Sequence, residues 1–278
     1  LIKENAREAV PDFFKLSHPP NPKIPFIIDC LEIKNCEKFG KGVFTTRDLQ
    51  PGDIIAIEPA PAMFKMTNEA QYSCCCNCLK SNLLNLLPCL KTASLMFCSV
   101  DCRDRTYAKA TDMELFCLID NWNLYLTVTR YMIEADYAFG GRHNLLKFLK
   151  KADLENWNKT IFDYDFSDPK KYHENMIKSI LGFSSSSMTM EGAKRFEQVA
   201  VYLSKGNFLL KGFIERLGRV VHANGTHHYH AYTDSTGGTL SEILRLSAFY
   251  PLMNHSCFPN TAFTAYNGGL IYFVNQEI

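Results

Sequence analysis

Apolar and polar positions follow two different periods along this chain, and each change of period marks a boundary. Between Phe26 and Ala60 the runs FIIDCLEI, FGKGVFTT and IIAIEPA are rich in β-branched and aromatic residues. They are separated by Gly40-Lys41-Gly42 and by Asp48-Leu49-Gln50-Pro51-Gly52-Asp53, so the pattern predicts a small antiparallel unit of strands joined by turns. From Thr111 the period lengthens. Thr111-Asp112-Met113-Glu114 has the form of a capping box, and Leu115, Leu118, Ile119, Trp122 and Leu126 recur at helical spacing, which predicts a helical region to about Phe139. Leu210, Phe213, Ile214, Leu217, Val220 and Val221 form one stripe of a later helix, entered after Gly206-Asn207. At the end, TAFTAY and LIYFV flank Asn267-Gly268-Gly269, a hairpin signal. Residues 140–190 show no decisive period, and Ser184 to Ser187 reads as an exposed loop.

Before the first strand, Pro11, Pro19, Pro20, Pro22 and Pro25 remove backbone donors, which predicts an N-terminal arm over residues 1–25. The order is therefore strands, a cysteine-rich stretch, helices and strands again: an α+β chain without internal repeats.

Composition narrows the class without changing that order. With 278 residues, 46% apolar and 21% charged, the chain can bury a sizeable core. A net charge of +1 leaves no electrostatic footprint for nucleic acid or an anionic membrane. No apolar run approaches the ~20 residues a membrane helix needs. The chain opens at Leu1 and stops at Ile278 within a strand-like stretch, as a fragment would. Eleven cysteines in so long a chain, with no basic and apolar leader pattern, point to a reducing compartment, cytoplasmic or nuclear.

Seven of those cysteines fall within residues 74–102, and Cys75-x2-Cys78 with Cys98-x3-Cys102 forms two tight pairs nineteen residues apart. Two such pairs supply four thiolates to a tetrahedral zinc ion, against the alternative of separate buried thiols. A zinc here is structural. The histidines His222, His227, His228 and His230 have no accompanying carboxylate before Asp234 and read as an exposed polar loop without a metal.

The cysteine stretch resembles the MYND finger, with Cys75, Cys78, Cys98 and Cys102 matching its first zinc site and Phe97-Cys98-Ser99 its Tyr-Cys-Ser signature. Cys89 stands where a second site would begin, but Thr92 occupies the next ligand position and the histidine expected near Ala110 is missing, so one zinc is expected. Asn254-His255-Ser256-Cys257-x-Pro-Asn260 is similar to the signature segment of the SET fold, and Phe39 to Phe44 with Ile57-Glu58-Pro59 to its first segment. The layout as a whole resembles the SMYD proteins, the SET-and-MYND lysine methyltransferases.

That resemblance implies a SET-type β core carrying an inserted finger and an inserted helical region. Its segments are 26–73 and 222–278 for the core, 74–117 for the finger and 118–221 for the helices. It implies S-adenosylmethionine and zinc as cofactors, with Gly40, Lys41, Gly42, Asn224, Asn254 and His255 around the former. Asn254 and His255 would be buried there, their polar groups satisfied by cofactor and threaded chain, and Cys257 would be a small buried thiol. The substrate implied is a lysine side chain of another protein, histones included, with proline-containing peptides as partners of the finger, no nucleic acid and no membrane. The tyrosine that orients the amine in such enzymes is expected after Ile278, so the 278 residues alone are expected to be inactive or nearly so. The alternative reading is a catalytically inert interaction module, the finger being its working part.

Overall fold

A computed structural model of the chain describes residues 14–37, 39–59, 63–65, 75–77, 85–90, 95–109, 123–183, 190–232, 239–266 and 269–278. The strands form small antiparallel sheets, and the helices cluster in the middle of the chain.

Strands β1 (Leu31–Cys36) and β2 (Gly40–Thr45) pair from Leu31 with Thr45 to Cys36 with Gly40. The expected third member of that unit goes elsewhere. Strand β3 (Ile54–Pro59) pairs with β10 (Gly269–Val274), which pairs in turn with β9 (Thr261–Tyr266). The register sets Ala56 opposite Tyr272 and Glu58 opposite Leu270. The reason is burial: Ile55, Ala56 and Glu58 lie inside, and so do Leu270, Ile271, Tyr272 and Val274, so the two apolar strands cover each other. The first and last thirds of the sequence thus share one sheet. The turn residues Asn267 and Gly268 of the predicted hairpin lie outside the described residues, but its two strands pair as expected.

The proline-rich stretch supports this sheet. Ser17 N donates to Ile54 O (3.0 Å), Ile28 N to Ile55 O (3.0 Å) and Ile57 N to Phe26 O (2.8 Å). Of the expected arm, residues 14–25 are described, and Ile24 is buried in the main core beside Phe26, Ile27 and Ile28.

A second sheet orders β4 (Met63–Lys65), β8 (Thr239–Arg245) and β7 (Thr226–Tyr232). His227, His228 and His230 therefore belong to a strand and not to a loop, because Thr226 to Tyr232 find a complete backbone ladder in β8. Two short strands, β5 (Leu87–Pro88) and β6 (Met96–Phe97), lead into α1 (Val100–Lys109).

The helices are α2 (Asn123–Ala138), α3 (Arg142–Leu149), α4 (Tyr172–Leu181), α5 (Met190–Ser204) and α6 (Phe208–Asn224). Helix α6 reproduces its predicted stripe: all six apolar residues are buried, and the Asn207 side chain caps the first turn by accepting from Leu210 N at 3.1 Å. The predicted capping box at Thr111 to Glu114 and the loop at Ser184 to Ser187 lie outside the described residues. Tyr131 of α2, fully buried, donates to Leu246 O (3.0 Å), tying the helical layer to the segment after β8. No helix among the described residues is long and apolar enough to cross a membrane.

Candidate functional site

Two pieces of chain more than two hundred residues apart meet at one edge. Gly40 opens β2 with φ +73°, in the left-handed region where a side chain is strained. At Gly42 a Cβ would lie 2.3 Å from Asn254 Nδ2 and 3.1 Å from Asn254 Cγ. Only glycine leaves room for that amide. Lys41 Nζ is drawn aside to Asn158 O (3.0 Å) in the helical region, so the lysine contributes its main chain to the edge while its side chain anchors it.

Asn254 follows a 3-10 turn, Tyr250–Leu252, whose buried Leu252 fixes the approach. From Asn254 to Asn260 every residue is exposed. This corrects the expectation of burial: apolar Leu252 turns in, and the polar run after it faces outward. Cys257 is likewise exposed, its Sγ 3.5 Å from His255 Nε2. Gln276 Nε2 donates to Phe258 O (3.3 Å) and Pro259 O (3.1 Å), and Asn275 N to Asn260 O (2.8 Å), so the last residues brace the loop. Asn224 ends α6 and its Nδ2 donates back to Val220 O (3.0 Å). The contact that joins the two expected cofactor segments is Gly42 with Asn254.

Behind this edge lies a polar knot whose role the sequence did not reveal. Glu58 is fully buried; its carboxylate accepts from Ala248 N (2.5 Å), from the Ser247 hydroxyl and from Tyr272 OH (3.2 Å). Burial pushes the Glu58 carboxyl up to about 7, against the lowering by its donors. The available signal was a single carboxylate in the apolar run IIAIEP.

The cysteine stretch forms a second cluster. Cys75, Cys98 and Cys102 are buried with their sulfurs within 4.8 Å of one another. Tetrahedral zinc with bonds of about 2.3 Å needs sulfurs about 3.8 Å apart, so these residues fit three corners of such a site. Cys78, the expected fourth ligand, lies outside the described residues, as do Cys74, Thr92 and Cys117. Ser99 Oγ accepts from Cys102 N (3.2 Å) and caps α1, which presents Cys102. Cys89, buried in the same cluster, is not one of the three converging sulfurs and pairs with Tyr107 OH (3.1 Å), which also accepts from Leu90 N (2.9 Å). Arg130 of α2 donates to Cys76 O (2.7 Å) and Ile133 packs into the cluster, docking it on the helical layer.

The early glycine turn in β2 thus meets the late Asn-His segment side by side in an α+β chain. Residues 40–278 match the SET domain model, and the chain belongs to that family. SET domains are generally protein-lysine methyltransferases that use S-adenosylmethionine. A search of curated proteins finds no match to this chain.

Proposed function

We propose that the chain is an S-adenosylmethionine-dependent protein-lysine methyltransferase of the SET-and-MYND type. The supporting observation is the fit of Gly42 against Asn254, which brings the glycine turn and the Asn-His pair to one open edge. In this reading the main chain of Gly40, Lys41 and Gly42, with Asn254, His255 and Asn224, holds the cofactor. When bound, the cofactor supplies an electrophilic methyl group. The chain's own work is placement: the glycines admit close approach of a ligand, and the exposed amide and imidazole supply hydrogen bonds that fix its orientation. Cys75, Cys78, Cys98 and Cys102 hold a structural zinc beside this core, and the substrate is a lysine amine of another protein.

The direct test of these roles is cofactor binding. Calorimetry with S-adenosylmethionine on the 278-residue chain should show one site. Gly42→Ala adds a methyl where the Asn254 amide now sits and displaces that side chain without touching backbone, so affinity should fall at least about tenfold with the melting temperature nearly kept. Combined with Asn254→Ala, its effect should not add, since both remove one apposition. A chain that binds no S-adenosylmethionine, or a Gly42→Ala variant that binds it like the parent, would refute the reading.

A further inference from the structure

Glu58 takes no part in the cofactor contacts proposed above, yet it is bonded to the segment that carries them. Residues Leu246 to Phe249 are buried and run directly into the turn Tyr250–Leu252 before Asn254. Within this segment Ser247 Oγ accepts from Phe249 N (3.0 Å) and Tyr250 N (2.7 Å), filling both of its lone pairs. Its own proton is therefore directed outward, to the Glu58 carboxylate, while Ala248 N binds the other carboxylate oxygen. Tyr272 OH closes the knot, 2.8 Å from Ser247 Oγ and 3.2 Å from Glu58 Oε2. The carboxyl thus links β3, β10 and the amides that shape the turn.

We propose that Glu58 is a positioning residue for the cofactor edge: through Ser247 and Ala248 it fixes the turn that sets Asn254 against Gly42. The consequence for cofactor binding rests on the reading above; the consequence for the segment itself does not.

The ionisable groups facing Glu58 are phenols, Tyr272 from β10 and Tyr172 from α4, and among the described residues no cation faces it. Burial, with the Glu58 charge second, raises the Tyr172 hydroxyl above its ordinary value, so that group stays neutral around pH 7. The titration of the closed segment near neutrality therefore belongs to Glu58. Opening the segment returns the carboxyl to water, from about 7 towards its ordinary 4.5. A group raised in the closed state stabilises that state fully below its ordinary value, and the stabilisation is lost as pH rises through the raised value.

Amide hydrogen exchange of residues 247–253 in the full 278-residue chain tests this without any ligand. Expressed as protection factors, which remove the intrinsic pH dependence, protection should fall roughly thirtyfold between about pH 5.5 and about pH 8.5. In Glu58→Gln the dependence should vanish and the Ala248 amide should exchange faster at the low end. Ser247→Ala, which leaves the carboxyl in place but removes a donor to its charged form, should move the midpoint to higher pH while the amides of α6 keep their protection. Where the parent chain binds S-adenosylmethionine, both variants should bind it at least about fivefold more weakly. A parent profile flat with pH overturns the proposal even if Glu58→Gln does not fold, and so does undiminished cofactor affinity in folded Glu58→Gln and Ser247→Ala. A parent that binds no cofactor yet shows the pH-dependent profile would instead refute the methyltransferase reading and leave the positioning of the segment supported.

Discussion

Phe213, Tyr131 and Leu145 sit among aliphatic and aromatic neighbours contributed by most of the helices and the shared sheet, whereas the cluster built around Phe97 holds four cysteines among its six buried residues that are described. Both exclude water from fully buried aromatic rings. They differ in where cohesion comes from. In the main core the burial of apolar area is extensive enough to stand alone, each large side chain contributing about 1.5–3 kcal/mol. Among the described residues the cysteine cluster buries little apolar surface beyond Phe97 and Ile133, and three converging thiols are repulsive once deprotonated unless a cation joins them. With the zinc proposed above, its order would depend on metal in a way that the order of the main core does not.

The largest effect expected from this difference is on metal removal. A structural zinc contributes about 10–16 kcal/mol of apparent binding free energy, so chelation or Cys98→Ser should unfold the cluster, seen as loss of protection in α1 and of bound zinc, while α6 remains protected. Equal loss in both regions would erase the distinction. Next in size, Phe213→Ala should destabilise the main core by about 3–5 kcal/mol in urea unfolding. Phe97→Ala, with metal bound, should shift that same transition less, since the cluster around it is held by its ligands. The smallest effect sharpens the comparison within the cluster: Ser99→Ala removes the cap that presents Cys102, at a cost of about 1 kcal/mol, and should speed zinc release a few fold without moving the main transition.

Much of this architecture is written in local pattern. Helix α6 is legible residue by residue because its apolar stripe and its entry at Asn207 agree, although it runs on to Asn224, past the expected boundary at 221. The β9–β10 hairpin is legible because its turn signal is local. The pairing of β3 with β10 is not, since nothing in the run IIAIEP states which distant strand will cover it. Histidine-rich β7 was missed because His227, His228 and His230 offer no apolar alternation, yet the ladder to β8 needs only backbone. At the site, the glycines and the Asn-His pair are recognisable by resemblance, but their meeting, a contact of β2 with the loop after Tyr250–Leu252, is not stated by local pattern. The exposure of Asn254 to Cys257 was not foreseen, because apolar neighbours in sequence do not tell which way a short loop turns. Glu58 is named by the resemblance only as part of Ile57-Glu58-Pro59, and its buried role is not legible because its donors Ser247, Ala248 and Tyr272 come from distant segments.

Arg130 and Tyr131 are adjacent on α2, one gripping the Cys76 carbonyl and the other the Leu246 carbonyl. The cysteine cluster and the segment that leads to Asn254 are therefore joined through adjacent residues of α2. A displacement of the cysteine cluster would reach, through that step, the residue directly before Ser247.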